Sequence, residues 1–510
     1  MTRTFHTIGW SVCLALSLPL VPTARADVTY TEAEDGLTII RMSVTPATEP
    51  VPALKHRLVA RDIDLQHGNA APYYYRALLE FKDKFQRARK EFGDDFDTWY
   101  DTGDEATPID KLPLDKVREA DGNFRFAIET QVIPATSRRD CDWQLGVEDV
   151  RGVDLIEFVL DDFNTSRNLS RVLALRTRLA VAEQRYDDAL DAMRMNYRLA
   201  VDTAGGPFLV CGLIGIAEAG ITNGTLLELI SAKNSPNLYW ALTELPQPLV
   251  DLREAARFEM DFGPRMFPFI HHSETTDHSP AEWNRLYTQS LRDLTAMGGN
   301  NSAVLNDLGS GLAATAAALV NYSFAKDQLV AQGMDRERVE KMAVGQVMAI
   351  YTERNYQSFA DDFQKLWYVP FWEMRERHGA VERRLEQARP MGGGPDREVL
   401  PVVSLLLPAM EACRAAQVRL ERDIAALRVI EALRMYAASH AGGLPARLDE
   451  ITAVSVPLNP ATGQPFVYRL DRSTAVLELP ASDGIPGYNR RVEIKIVQPE
   501  VSADDADERR

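Results

Sequence analysis

The sequence predicts a mainly α-helical protein: an array of antiparallel helical hairpins followed by a small C-terminal α+β unit, which consists of a long helix and a β-hairpin. Apolar residues recur at spacings of three and four over most of residues 53–390, which is the pattern of helices with one buried face. Two such helices are joined by a short connection at residues 183–185, so they must pack against each other. After residue 456, the helical spacing of apolar residues gives way to turn residues and short strand-like runs.

The chain of 510 residues is longer than one hydrophobic core usually supports, and its apolar content of 45% is ample for packed cores. Composition shifts and stretches rich in proline or glycine divide the chain into segments. These are a signal peptide (1–26), a short strand and Pro-rich linker (27–52), a helical domain (53–390), a Gly/Pro linker (391–398), a long helix with a β-hairpin (399–497) and an acidic disordered tail (498–510).

Residues 1–26 have the features of a secretory signal peptide. They combine a charged start at Arg3, an apolar stretch over residues 8–20 and a small-x-small cleavage motif at residues 24–26. The apolar stretch is shorter than the roughly 20 helical residues that span a bilayer. We therefore expect an exported protein of the periplasm or cell surface, which begins near Asp27 and has no transmembrane span.

The charge of the chain excludes two classes of partner. The net charge is −17, and loss of Arg3 and Arg25 with the leader takes the mature protein to −19. Nucleic acid would be repelled, since phosphate binding needs clustered lysine and arginine. Acidic membrane surfaces are disfavoured for the same reason.

Three cysteines, Cys141, Cys211 and Cys413, remain once the leader and Cys13 are removed. Their spacing fits no metal site, and an odd number allows at most one disulfide in an oxidising compartment. Cys211 and Cys413 lie in apolar helical patterns, which favours small buried side chains. A single disulfide is the alternative.

Residues 166–201 form the clearest helical hairpin in the sequence. Two apolar stripes at helical spacing flank the connection at 183–185, and helices joined this closely pack antiparallel. The step AEQRYDDALDAM resembles the inter-helix junction of tetratricopeptide-type hairpins, where a tyrosine and a small residue three positions later let the second helix approach the first. TERNYQSFADDF at 352–363 is a fainter match. Because the matches have no fixed period, we do not expect a regular solenoid.

The segment GGPFLVCGLIGIAEAG, residues 205–220, is apolar almost throughout. It is too short to span a bilayer and predicts a buried central helix. Gly212, Gly215 and Gly220 would permit neighbouring backbones to approach closely.

The C-terminal unit follows ARPMGGGPDREV at 388–399, whose glycines and prolines mark the best domain boundary in the chain. Apolar residues from Leu406 to Ile430 step by three or four and predict a long helix, which ends where Gly442 or Gly443 supplies a left-handed cap. VPLNPATGQP then predicts a turn, and FVYRL and AVLELP predict two strands joined by residues 471–474.

This unit resembles the helix-plus-sheet module of pseudopilins and prepilin-like proteins. The resemblance covers about 80 residues and rests on an LLLPA-type helix start, a helix that ends before G-x-x-P, and the turn PLNPATGQPFVYRL. The processing signal and the long apolar N-terminal half-helix of that family are absent, and the unit is internal. The resemblance therefore implies a packing or contact module and argues against a membrane-inserted filament subunit.

Most of the mature chain resembles a group of large exported proteins of planctomycete-type bacteria. The matching segments are GNAAPYYYRAL, CDW, the RYDDAL hairpin, PNLYWALTELPQPLVDLREA and the stretch from VSLLLPA to PFVYRL. No catalytic or binding residue is implied by this resemblance, so none is assigned to the chain.

The acidic segment EFGDDFDTWYDTGDEATPID at 91–110 lacks the ligand spacing of a calcium-binding loop. We interpret it as a solvated acidic loop, with calcium as the alternative.

The candidate chemistry is limited to one histidine cluster. The chain has no G-x-S-x-G, Walker or G-x-G-x-x-G motif. HHSETTDHSPAE contains His271, His272 and His278 on a loop, where imidazoles and carboxylates could converge on zinc or copper. Residues 279–282 also form a helix-capping sequence with proline at the first helical position, which explains half of the stretch without a metal. No catalytic residue, metal ligand or cofactor is assigned.

Two aromatic segments, NLYWAL and LWYVPFW, are interpreted as core, with a binding groove as the alternative. The leading hypothesis for function is a non-enzymatic exported scaffold that binds a protein partner of the cell envelope. The alternatives are a periplasmic hydrolase or metal-dependent enzyme near His271–His278, and a carrier of a hydrophobic ligand. The scaffold predicts an exposed aromatic patch, the enzyme a cleft with convergent titratable groups, and the carrier an enclosed apolar cavity.

Overall fold

A computed structural model describes residues 28–33, 36–146, 154–267, 269–297, 311–388, 396–400, 402–403, 409–481 and 488–498. The predicted signal peptide and residues 499–510 of the predicted tail lie outside the described residues. The prediction of a mainly α-helical protein is confirmed, since this part of the chain contains fifteen α-helices and only short strands.

The helices are α1 Ala71–Phe92, α2 Asp95–Tyr100, α3 Leu114–Ala127, α4 Ile133–Thr136, α5 Asp154–Ala182, α6 Tyr186–Ala204, α7 Leu209–Ser231, α8 Tyr239–Thr243, α9 Arg253–Met266, α10 Pro280–Met297, α11 Gly311–Ala331, α12 Arg336–Lys341, α13 Val344–Leu366, α14 Phe371–Ala388 and α15 Ala409–Ser439. The strands are β1 Val28–Glu32, β2 Thr38–Val44, β3 Gln66–Asn69, β4 Arg138–Asp140, β5 Leu458–Asn459, β6 Gln464–Pro465, β7 Val467–Asp471, β8 Thr474–Leu479 and β9 Arg490–Ile496.

Helices α5 and α6 pack against each other across the short connection that the sequence predicts. Gln184 takes a positive φ of 59° in this turn, and the amide of Arg185 donates a hydrogen bond to the carbonyl of Ala180 at 2.8 Å. The second junction-like segment, 352–363, is different: it lies inside the continuous helix α13. It contains no glycine or proline that would break the helix.

Helix α7 is a core helix that packs against α5, α6, α9 and α15 and against strands β1 and β2. It is the one helix of the described chain with the length and apolar character to cross a membrane, but 61% of its most apolar stretch is buried inside the protein. A Cβ at Gly215 would overlap the carbonyl oxygen of Ala200, so this glycine does permit close approach. Gly220 does not, because no atom lies within 4 Å of a Cβ built there.

A five-stranded sheet joins both ends of the described chain in the order β1-β2-β9-β8-β7. β2 runs parallel to β9, whereas the other neighbours are antiparallel. This arrangement differs from the prediction of a strand within residues 27–52 that is separate from the C-terminal hairpin, and strands β1 and β9 were not predicted. One face of β2 is buried, through the alternating residues Ile40, Met42 and Val44. Pairing with β9 places these side chains on one face of the sheet, which packs into the core.

The hydrophobic core is continuous across the predicted 391–398 linker. One cluster contains residues from both sides, including Ile40, Phe359, Leu427 and Ile494. A second cluster is built from residues 70–214, with Phe81 among its buried side chains. The Gly/Pro stretch therefore does not separate two hydrophobic cores, because the helices before it and the long helix after it bury their apolar faces together.

The long helix α15 ends as the sequence predicts. Gly442 has a φ of 84°, and its amide donates to the carbonyl of Ala437 at 2.8 Å, as in a left-handed helix cap.

All three cysteines of the described chain are free thiols. Cys211 and Cys413 are buried, and burial raises the pKa of Cys211 to about 11 and that of Cys413 to about 12. The interpretation of these two cysteines as small buried side chains is confirmed, and the disulfide alternative does not apply to the described structure.

Candidate functional site

The three histidines of the 271–278 segment do not converge on one point. The rings of His271 and His272 lie 4.1 Å apart, whereas the ring of His278 packs edge-on against Trp283 at 4.8 Å. The predicted cap is present: Pro280 begins α10, and the amide of Glu282 donates to Ser279 Oγ at 3.3 Å.

The polar groups of this loop bind to helix α13 instead of surrounding an ion. The Glu353 carboxylate accepts hydrogen bonds from the amides of His272 and Ser273 at 3.1 and 2.8 Å. Arg354 forms an ion pair with Glu274 at 2.5 Å. Across the part of the chain that the structure describes, no group of three His, Cys, Asp or Glu residues is placed to hold a metal. The loop is therefore anchored by local contacts that need no metal.

The aromatic segment LWYVPFW is divided between the core and the surface. Leu366, Trp367 and Phe371 are buried, as predicted. Tyr368 is 56% exposed and Trp372 is 40% exposed, so the prediction of core is wrong for these two residues. In NLYWAL, Leu238 and Tyr239 are buried as predicted.

Trp372 borders a groove of about 340 Å³, which we name the junction groove. It lies where the start of α14 meets the first half of α15 and the turn at 458–463. Its lining includes Pro370, Phe371, Trp372, Arg414, Val418, Glu421, Leu458 and Pro460. Leu458 is 55% exposed. The groove therefore combines apolar walls with two charged residues of α15.

The turn NPATG forms one wall of the junction groove. Asn459 is buried, and its Oδ1 accepts a hydrogen bond from the amide of Ala461 at 2.9 Å. Gly463 has a φ of 67°, and a Cβ there would lie 2.7 Å from the ring of Trp372. Glycine is needed on both counts, because other residues rarely adopt this φ and a side chain would displace the tryptophan. The turn thus positions Trp372.

Arg414 and Glu421 lie on one face of α15, and burial shifts both toward their neutral forms. Burial lowers the pKa of Arg414 and raises the pKa of Glu421, while their mutual attraction opposes both changes. Gln417 donates to Glu421 at 3.1 Å, and the Arg414 guanidinium lies 5.7 Å from the ring centre of Trp367. Arg414 Nε is a buried donor with no hydrogen-bond partner among the described residues.

The described lining of the junction groove contains no serine, threonine, cysteine or histidine, and its titratable side chains are Arg414 and Glu421. Sequence reasoning missed Arg414, Glu421 and Leu458. The available signal was a pair of opposite charges seven positions apart, on either side of Val418 and at helical spacing.

Two larger cavities lie elsewhere in the described structure. One of about 590 Å³ lies between α7, α15 and the five-stranded sheet. The other, of about 580 Å³, lies between residues 57–65 and α6. Its arginines are neutralised by carboxylates of the protein itself: Arg57 with Glu244, Arg61 with Asp64, Arg194 with Asp191 and Arg198 with Asp202.

Comparison of the chain with protein-family models, curated proteins and solved structures found no match. The site is therefore interpreted from its own geometry and chemistry.

Proposed function

We propose that this protein is an exported, non-enzymatic helical scaffold that binds a protein partner of the cell envelope through the junction groove. The observation that carries the proposal is the exposure of Trp372 and Leu458 in the lining of this groove, with Tyr368 exposed on the connection that leads into α14. Exposed apolar and aromatic groups gathered in one place are typical of protein interaction sites. Tyrosine and tryptophan also contribute large contact areas at low conformational cost.

The chemistry of the groove favours an extended partner segment with a proline or aromatic side chain. Pro370, Trp372 and Pro460 provide apolar walls of the kind that hold proline-rich segments. Arg414 Nε, which lacks a partner within the described chain, would donate to a backbone carbonyl of the bound segment. The net charge of the chain, −17 with the leader and −19 without Arg3 and Arg25, favours a partner whose surrounding surface is basic.

The finer architecture belongs to the same proposal. The short connection between α5 and α6 supports a tetratricopeptide-like hairpin, and helix α15 followed by strands supports a pseudopilin-like C-terminal unit. In this proposal the unit mediates packing, and β1 and β2 complete its sheet. Membership of the planctomycete-type exported group, with a periplasmic or cell-surface location, is proposed on the sequence resemblance alone.

Export requires that cleavage of the leader leave the fold intact. Strand β1 begins at Val28, so cleavage after Ala26 would remove no described residue. N-terminal sequencing of the protein recovered from the cell envelope should give Asp27 as the first residue. A retained Met1 would contradict the export proposal.

The partner proposal is tested by site-specific photocrosslinking in the native cell. A benzoylphenylalanine at position 458 should capture one discrete protein, and the same probe at Phe126, an exposed aromatic position on α3, is the matched control. The captured protein, once purified, should bind the wild-type chain. The double variant Tyr368→Ser/Leu458→Ser should abolish this binding, whereas Leu79→Ser/Phe126→Ser should retain it.

Equal capture at positions 458 and 126 would overturn the proposal, as would unchanged binding by the Tyr368→Ser/Leu458→Ser variant. Both double variants alter only exposed side chains, so loss of folding does not explain a difference between them.

A further inference from the structure

The cavity of about 590 Å³ between α7, α15 and the sheet differs from the junction groove in its chemistry. Its inner wall is apolar, with Ile40 and Val492 from the sheet and Leu427 and Ile430 from α15. Its size is within the range of about 300–1,000 Å³ that holds small molecules in proteins. We refer to it as the α7 cavity.

Gly220 on α7 helps to create this space. It lies in the interior of a 23-residue helix, where glycine is less favourable than alanine by about 1 kcal/mol. Gly215 and Gly224 on the same helix are needed for close contacts, with Ala200 and Thr102 respectively. Gly220 has no such contact, since a Cβ there would have nothing within 4 Å. Gly220 is exposed and lines the α7 cavity, so a side chain at this position would extend into open space along its wall.

The rim of the α7 cavity is acidic. Its carboxylates are Glu32, Asp101, Asp104 and Asp423, and its guanidinium is Arg490. Arg490 pairs with Asp423 at 2.7 Å, which leaves the other three carboxylates without a compensating cation in the described lining. A rim of this kind attracts cations and repels anions.

A buried hydrogen-bond donor also lines the α7 cavity. Asn223 is only 7% exposed, and its Oδ1 accepts a hydrogen bond from the Tyr197 hydroxyl at 2.6 Å. Its Nδ2 has no partner within the described chain. Buried amide donors are rarely left unpaired in folded proteins, so this group points to an oxygen atom that the protein does not itself supply.

We propose that the α7 cavity binds a cationic amphiphile, which is a molecule with an apolar chain and a positively charged amine. The chain would lie against α7 and α15, the amine would lie at the acidic rim near Asp104 and Glu32, and an oxygen of the ligand would accept from Asn223. Fatty acids and anionic lipids are disfavoured by the rim. This site is independent of the junction groove and does not depend on a protein partner.

The test is calorimetric titration of the full chain without its leader with dodecyltrimethylammonium below its micelle concentration. Dodecanoate, which has a chain of similar length and the opposite charge, is the matched probe. We expect one cation bound per chain and at least about tenfold weaker binding of the anion. Binding of dodecanoate as tight as that of the cation would overturn the proposal.

Two variants locate the binding. Gly220→Leu places a side chain in the cavity at a position where the Cβ has nothing within 4 Å, and it should weaken cation binding at least about tenfold, a loss of at least about 1.4 kcal/mol. Gly122→Leu is the matched control, because Gly122 is also a helical glycine with nothing within 4 Å and lies outside the cavity. Unchanged affinity of Gly220→Leu would place the cation elsewhere and overturn the proposal.

A charge variant keeps the test valid if Gly220→Leu fails to fold. Glu32 and Asp104 form no ion pair with a described residue, so Glu32→Gln/Asp104→Asn should leave the fold unchanged. It should weaken cation binding about threefold to tenfold, and this difference should shrink as salt concentration rises. Equal binding by this variant and the wild type at low salt would contradict the role of the rim.

Discussion

Glu218 and Glu228, two buried glutamates of helix α7, should respond in opposite ways when their charge is removed. The Glu218 side chain accepts a hydrogen bond from Ser166 Oγ at 2.6 Å, and its Oε2 has no partner among the described residues. Glu228 instead pairs with the Arg178 guanidinium at 2.9 Å. Glu218→Gln keeps the shape of the side chain but removes its charge.

The size of the expected change in the free energy of unfolding follows from the pKa of Glu218. Burial raises this pKa from 4.5 to about 7, although the hydrogen bond from Ser166 opposes the change. Each pKa unit corresponds to about 1.4 kcal/mol, so the unfolded state gains about 3 kcal/mol over the folded state once the pH exceeds both values. Because folding raises the pKa of this carboxyl group, no stability is lost below pH 4.5, and the loss of stability grows as the pH rises to about 7.

The assay compares urea unfolding of the wild type and Glu218→Gln at half-unit steps from pH 4.5 to 8. The difference between their free energies of unfolding isolates Glu218, because the other titrating groups are shared. Relative to its value at pH 4.5, this difference should move in favour of the variant by about 3 kcal/mol at pH 8. Circular dichroism of the helices reports the transition.

Glu228→Gln is the control on the same helix. The variant should be less stable than the wild type at neutral pH by about 3–5 kcal/mol, because Arg178 keeps its buried charge without a carboxylate partner. A Glu218→Gln difference that does not change between pH 4.5 and 8 would refute the reasoning. So would equal destabilisation of the two variants at pH 8.

Further predictions concern packing, a buried ion pair and metal content. Gly215→Ala should lower the free energy of unfolding by about 1–3 kcal/mol through overlap with the neighbouring helix, whereas Gly220→Ala should raise it by up to about 1 kcal/mol; urea unfolding measures both. Arg434→Met should lower the free energy of unfolding by about 3–5 kcal/mol, because Glu431 is fully buried and loses its ion-pair partner at 3.0 Å. Adding Glu431→Leu should recover part of that loss. Elemental analysis should find no stoichiometric metal in the wild type or in a variant with the histidines of residues 271–278 changed to alanine.

Each of these predictions has a contradicting result. Equal stability of Gly215→Ala and Gly220→Ala would mean that the two glycines have the same environment. A double variant at 431 and 434 that is no more stable than Arg434→Met would contradict the cost of an unpaired buried charge. A stoichiometric metal that disappears in the histidine variant would replace the scaffold with the alternative, a metal-dependent enzyme, as the leading hypothesis.

Local features of the fold were predictable from the sequence. The turn at Gln184, the cap at Ser279 and the helix end at Gly442 each depend on interactions between residues a few positions apart. Helix periodicity also depends only on residues a few positions apart, and it correctly identified the buried faces of α5 and α6. The apolar character of α7 also indicated a buried helix.

The candidate sites were not predictable, because each gathers residues from distant parts of the chain. Trp372 lies in the same aromatic segment as buried Trp367, and only the tertiary structure shows that it stays partly exposed beside the 458–463 turn. The sequence predicts a close-contact role for Gly220, and only the tertiary structure shows that it lines the α7 cavity with nothing within 4 Å of its Cβ position.

The sequence by itself determined the helical class, the acidic charge, and the starts and ends of individual helices, because these depend on composition and on neighbours within a few residues. Only the tertiary structure decided which strands share a sheet, which aromatic residues remain at the surface and where space is left between helices. Arg41 and Glu493 illustrate the reason: they are 452 positions apart and form an ion pair at 2.9 Å. Such pairings depend on the packing of the whole chain, which no local pattern encodes.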